Sequence, residues 1–151
     1  MSETIGSLID KLTIVELKSY HGTENATLVD LNNQRRQLQE EIDEYLMDAL
    51  HGIIRPERLV FNSNKVYAKE GNRFVDIQIE GFGDAVAVLA SINCQIWHEQ
   101  EKIYEWSKLS LPQKDIVIPS IAKLNLQRSK CIDDINELFQ KFVRSKECTR
   151  K

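Results

Sequence analysis

Long apolar runs are missing from this chain of 151 residues, and cysteine is scarce. No apolar run approaches the roughly 18 residues that a membrane-spanning helix needs, so no span is predicted. The first residues, 1–4, carry neither a basic stretch nor an apolar one, which argues against a signal peptide. Only three cysteines occur, an odd number without metal-binding spacing, which predicts reduced thiols in a cytoplasmic protein.

A large excess of either charge is missing as well. Twenty basic and 23 acidic residues give a net charge of −3, which disfavours nucleic acid as a partner. The hydrophobic share of 42% and the charged share of 28% are typical of a globular protein, and the length predicts one domain over 1–151. Motifs for Ser-His-Asp catalysis, phosphate-binding glycine loops and zinc sites are absent. Composition therefore leaves the function open.

Apolar residues recur at helical spacing near both ends of the sequence, which predicts two helical hairpins. The predicted elements are a hairpin over 1–52 (helices 4–24 and 27–50), a second over 83–145 (helices 84–105 and 119–143) and a polar tail over 146–151. Gly52 suits the position just after a helix, and Pro119 suits a first helical turn.

Between the hairpins, residues 56–80 have the pattern of short strands. Three strands are predicted, over 58–62, 65–69 and 73–80, with Ile77 and Ile79 alternating with polar residues in the last one. The predicted fold class is therefore mainly α within α+β. It comprises a pseudo-twofold four-helix core of two duplicated hairpins and an inserted three-stranded antiparallel β-sheet.

The two hairpins contain an internal repeat. Residues 6–24 align without gaps with 83–101, and residues 31–46 align with 124–139. The shared module is aromatic-His-x-x-Glu at the end of one helix and Leu-Asn-x-Gln-Arg at the start of the next. A duplicated core needs only size and hydrophobicity, so retained polar residues indicate a physical requirement in both copies. The candidate ligand-binding residues are His21, Glu24, Asn32 and Arg35 in the first copy and His98, Glu101, Asn125 and Arg128 in the second.

Arg35 and Arg128 are each the single charged member of an otherwise apolar helical stripe. A buried arginine must be paired, so we expect Glu24 to bind Arg35 and Glu101 to bind Arg128. In the structural interpretation, each pair closes the end of its hairpin. In the functional interpretation, the Arg, Asn and His side chains of each copy line a pocket for an anionic small molecule, such as a phosphate or a nucleotide sugar.

Two alternatives use other chemistry. A metal-dependent hydrolase similar to all-helical nucleotide pyrophosphatases would use His98, Glu101 and the acidic runs at 40–44 and 133–137, which could hold magnesium but mostly have the pattern of a solvated face. The order His-x-x-Glu differs from the Glu-x-x-His order of di-metal bundles, so no metal ligand is assigned and any cofactor stays unknown. The second alternative is a structural module that forms a homodimer through a sheet edge or an apolar helix face.

The stretches 96–105 and 124–128 resemble an uncharacterised bacterial helical family, a domain of unknown function that pairs a Trp-His-x-x-Glu helix with a Leu-Asn-x-x-Arg helix. The similarity covers both hairpins. It implies an association with glycosyltransferase and surface-polysaccharide gene neighbourhoods, but no established activity. Tyr104 and Glu105 match the family pattern only in the second copy, which makes that copy the better candidate. The leading expectation is a non-enzymatic binding or accessory protein that holds an anionic group or a partner protein near the hairpin ends, away from membranes.

Overall fold

The computed structural model describes residues 3–61 and 77–148, with side chains described as far as residue 146. These residues form a bundle of four helices, as the hairpin pattern predicted. The helices are α1 (Ile5–His21), α2 (Asn25–Leu50), α3 (Phe82–Tyr104) and α4 (Leu111–Cys148). In the described part of the chain, no helix combines the length and apolar character needed to cross a membrane.

The bundle is organised around α1 and α4. α1 packs mainly against α2 and α3 mainly against α4, while α1 also contacts both α4 and α3. α2 touches α4 only slightly. The core is aliphatic and aromatic, and its fully buried members include Ile5, Leu59, Leu89, Cys131 and Ile135. The contacts of α1 with α4 and with α3 therefore join the two hairpins.

The start of α1 is fixed by one cap and one close approach. Thr4 caps the helix, with its Oγ1 accepting a hydrogen bond from the Ser7 amide at 3.3 Å. The Gly6 amide donates to Asn136 Oδ1 at 2.8 Å. A Cβ atom on Gly6 would lie only 2.5 Å from the carbonyl oxygen of Ile132. α1 can therefore approach α4 this closely only with glycine at this position.

The predicted β-sheet is wrong, because the described residues fold without a β-strand. At the start of the first predicted strand (58–62), Pro56–Arg58 form a turn of 3-10 helix. This turn places Leu59 in the core with 0% exposure, and the Pro56 carbonyl accepts a hydrogen bond from Gln140 of α4 at 2.7 Å. Burial against the helices, rather than strand pairing, accounts for the apolar residues here. Residues 62–76, which hold most of the predicted strands, lie outside the described residues.

The alternating pattern of the last predicted strand arises from packing on a helix and not from pairing in a sheet. Residues 77–80 lie outside helices, with Ile77 and Ile79 half-buried and Gln78 and Glu80 exposed. Ile77 and Ile79 lie beside Leu138 of α4. A segment lying on a helix surface shows the same period-two burial as a strand in a sheet, so the pattern alone could not distinguish the two.

α4 begins eight residues earlier than predicted, at Leu111 instead of Pro119 (119 − 111). At its start, Gln113 Oε1 accepts from both the amide and the hydroxyl of Ser110, each at 2.9 Å, which is one half of a capping box. Pro119 lies inside the helix, where it removes one donor to the carbonyl of Asp115. The signal for the true start was the spacing Ser110-x-x-Gln113.

Candidate functional site

The repeated aromatic-His pairs of the two hairpins meet at one end of the bundle. The His21 ring of α1 stacks on the Trp97 ring of α3, with centroids 4.9 Å apart and an interplanar angle of 10°. The His98 ring approaches His21 edge-on at 6.3 Å, and Tyr20 does so at 5.2 Å. Equivalent positions of the repeat are thus brought together from different hairpins.

Glu101 completes this group. Its Oε1 accepts from Trp97 Nε1 at 3.0 Å, and its Oε2 lies 3.3 Å from His98 Nδ1. Hydrogen bonding to His98, and then to Trp97, holds the pKa of Glu101 below its ordinary value. We call His21, Trp97, His98 and Glu101 the aromatic–histidine cluster. One turn of α3 places Trp97, His98 and Glu101 on a common face, because residues three and four apart are neighbours on a helix.

The aromatic–histidine cluster lies at the surface. The side chains of His98 and Glu101 are 57% and 52% exposed. A shallow depression beside them is also lined by Lys102, Tyr104 and Glu105. Because Lys102 binds Glu99 at 2.6 Å, its charge is already compensated. The surface therefore offers aromatic faces and carboxylates rather than free cations.

Arg128 lies elsewhere, and its predicted pairing with Glu101 is wrong. Its Nε donates to Asp10 Oδ1 at 2.8 Å and its Nη2 to Asp10 Oδ2 at 2.5 Å, in a two-pronged ion pair between α4 and α1. Asp10 is buried, with 5% exposure. The hydrogen bonds with Asp10 raise the pKa of the Arg128 guanidinium. The requirement that a buried arginine be paired is met, but by a residue on the other hairpin.

Two more polar side chains complete the environment of Asp10. Asn93 Nδ2 donates to Asp10 Oδ1 and to Thr13 Oγ1, each at 2.8 Å. Thr13 Oγ1 in turn donates to the Asp10 carbonyl at 2.8 Å. This interhelical network, formed by Asp10, Thr13, Asn93 and Arg128, ties α1, α3 and α4 together. Sequence reasoning missed Asp10, although its place directly after buried Leu8 and Ile9 was a signal.

The first copy of the repeat is arranged differently. Arg35 Nη1 lies 3.6 Å from Glu16 Oε1 at the surface, so the predicted pairing with Glu24 is wrong. Glu24 instead accepts from Thr27 at 3.5 Å. Asn32 is exposed on α2. Glu16, the partner of Arg35, aligns with Asn93 in the second copy, and Asn93 binds Asp10, the partner of Arg128. The two copies of the repeat have therefore diverged at the residues around their arginines.

In neither copy do the four predicted residues come together in a pocket. His21, His98 and Glu101 come together, whereas Arg128 lies 128 − 111 = 17 residues into α4, about 26 Å from the helix start. Asn125 is exposed, and its Nδ2 donates to the Ile121 carbonyl of its own helix at 3.1 Å. The misplaced start of α4 explains the error, because a helix that began at Pro119 would have placed Arg128 near the hairpin end.

The metal-dependent alternative finds no ligand set in residues 3–61 and 77–146. Here no three His, Cys, Asp or Glu side chains come together as a metal site would require. In the acidic run 133–137, Asp134 binds Lys130 at 2.5 Å. Asp133 and Glu137 also have interactions. The acidic side chains of this run therefore already have interactions on the surface of α4.

The cluster predicts a pH response. Since the folded-state pKa of Glu101 is lowered, its stabilising interaction is present above its unfolded pKa and is lost as pH falls through the folded value. Replacing His98 with alanine should raise the pKa of Glu101 towards its ordinary value. An NMR titration of the Glu101 carboxyl measures this change. His51→Ala, at the opposite end of the bundle, is the control and should leave the titration unaltered.

Comparisons with family models, curated proteins and solved structures found no match to this chain. The functional interpretation is therefore drawn from the geometry of the chain itself. That geometry provides one exposed cluster, built from both copies of the repeat, and one buried network, which joins the helices. Of these two, the exposed cluster is the one placed to contact another molecule directly.

Proposed function

We propose that this chain is a cytoplasmic binding module that recognises a partner protein at the end of the bundle where α1 and α3 finish. The observation that carries the proposal is the convergence of His21, Trp97 and His98 on an exposed surface. Neither copy of the repeat builds this surface alone. A need for both copies at one site accounts for the histidine that is retained in each copy.

Exposed apolar side chains support a protein as the ligand. Of the 12 large hydrophobic residues exposed in the described part of the chain, six lie within about one turn of this end: Tyr20, Val29, Ile103, Tyr104, Trp106 and Leu111. Tyr20 and Tyr104 are 86% and 87% exposed. Aromatic residues supply much of the binding energy of protein interfaces, and concentrated apolar exposure marks interaction surfaces.

The charges at this end favour a protein over an anionic small molecule. Arg128, the strongest candidate for holding a phosphate, is committed to Asp10. Around the depression beside His98, both ammonium groups are already paired, Lys102 with Glu99 at 2.6 Å and Lys108 with Glu105 at 2.7 Å, and the carboxylate of Glu101 adds a third negative charge. A phosphate or a nucleotide sugar would meet like charges there, whereas an aromatic or aliphatic side chain of a protein would not.

Site-specific photo-cross-linking tests the proposal. p-Benzoylphenylalanine is introduced separately at Tyr20, at Tyr104 and, as a control, at exposed Met47 near the other end of the bundle. We expect a discrete cross-linked protein at the first two positions and none at Met47. The resemblance in the sequence makes proteins of bacterial surface-polysaccharide synthesis the first candidates for its identity.

A second variant links the adduct to the cluster. With the cross-linker at Tyr20, Trp97→Ala should reduce the adduct at least tenfold, because loss of a central aromatic contact of an interface typically costs about 2 kcal/mol or more. Circular dichroism establishes that the variant is folded. Tyr104→Ala, at a side chain 87% exposed, provides a second variant that leaves the core untouched. Equal adducts at Met47, or adducts indifferent to both substitutions, would refute the proposal.

A further inference from the structure

α4 has an outward face that the other described helices leave open. Ile116, Pro119, Ala122 and Leu126 form its apolar centre, and Asp115 and Lys123 flank this centre. At about 100° per residue, these positions lie opposite the inward side chains of α4. Of those, Val117 and Leu124 are 3% and 7% exposed. We call residues 115–126 on this side the outer α4 face.

The charges on the outer α4 face are complementary to themselves. Asp115 lies four residues before Pro119 and Lys123 four residues after it. If two copies of α4 cross antiparallel at Pro119, Asp115 of each copy faces Lys123 of the other. The same operation places Ile116 of each copy against Ala122 of the other, a large side chain against a small one. Two equal ion pairs around an apolar centre are what a twofold symmetric contact requires.

We propose that a second copy of this chain binds the outer α4 face, forming an antiparallel, twofold symmetric dimer centred on Pro119. The contact spans residues 112–126, seven on each side of Pro119, or about 22 Å of helix. A single pair of helices buries less than the roughly 1,600 Å² of a standard interface, so the dimer is of the weak, concentration-dependent class.

Sedimentation equilibrium on the full chain, over a range of concentrations, tests this dimer by charge exchange. Asp115→Lys and Lys123→Asp should each raise the dissociation constant at least tenfold, because each places like charges in contact twice. An equimolar mixture of the two variants should form a heterodimer, since one chain then carries two positive charges at these positions and the other two negative charges. The double variant should regain the homodimer, because its two ion pairs are restored with their charges exchanged.

Glu40→Lys, an equal change of charge at an exposed position of α2, is the control and should dimerise like the unmodified chain.

Three outcomes would overturn the proposal: an unmodified chain that stays monomeric at millimolar concentration, single variants that dimerise normally, or a double variant that fails to recover. The dimer does not rest on the proposed partner-binding function. The charge variants leave the aromatic–histidine cluster intact, so cross-linking at Tyr20 should persist in them. Loss of the dimer and loss of partner binding are therefore separate results.

Discussion

Replacing Asp10 with alanine should lower the free energy of unfolding by about 3 kcal/mol. The substitution leaves the Arg128 guanidinium without its partner and removes the acceptor of one Asn93 hydrogen bond. Unpairing a buried charge costs about 3–5 kcal/mol, and the lower value applies because Arg128 keeps 30% of its side chain exposed. Urea denaturation followed by circular dichroism measures the change.

The double variant Asp10→Leu with Arg128→Met should recover most of the lost stability. Buried ion pairs can often be replaced by packed apolar side chains at little cost, because neither charge is then left unpaired. The matched control is Glu16→Ala, which removes the exposed partner of Arg35 and should cost less than about 1 kcal/mol. Equal losses for Asp10→Ala and Glu16→Ala would contradict the assigned role of the interhelical network.

Gly6→Ala should destabilise the fold by about 2 kcal/mol. The added Cβ would lie 2.5 Å from the Ile132 carbonyl oxygen and 2.9 Å from Asn136 Oδ1. Because one of these atoms belongs to the backbone of α4, α1 would have to move away from α4. That movement would also stretch the hydrogen bond from the Gly6 amide to Asn136. A shift in the denaturation midpoint at constant slope measures the effect.

The repeat supplies the control for this substitution. Gly83 is the counterpart of Gly6 in the second copy, and a Cβ there meets no atom within 4 Å. Gly83→Ala should therefore stabilise the protein by about 0.5–1 kcal/mol, since alanine is favoured over glycine within a helix. If both substitutions had the same sign, the close approach of α1 to α4 would be incorrect.

The four helices could be predicted from the sequence because their apolar spacing is long and regular. The structure between the two hairpins could not be predicted in the same way, because the alternation at 77–80 is compatible both with a sheet and with a segment lying on helices. Pro119 misled the prediction of where α4 begins, since proline is favoured in a first turn but can also be accommodated inside a long packed helix. Packing of the whole helix outweighed the local preference of one residue.

The candidate site could be predicted only in part. The repeat singled out His21, His98 and Glu101, which the structure brings together, because equivalent residues of two copies can meet near a common axis. The partners of the arginines could not be read from helical neighbours. Asp10 reaches Arg128 across the two hairpins, and periodicity within one helix carries no information on which other helix will be adjacent.

The one-sided attachment of α2 has a consequence for local unfolding. In this helix of 26 residues, only Leu31, Tyr45 and Ala49 are fully buried, while Leu38, Ile42, Leu46 and Leu50 are partly buried, and its contacts are mainly with α1. The interhelical network joins the other three helices without any residue of α2, so it can persist when α2 unfolds. Segments with few buried contacts open with less free energy than the core. α2 should thus exchange its amide hydrogens as a separate cooperative unit, ahead of the other three helices. Its local unfolding should leave α1, α3 and α4 packed together.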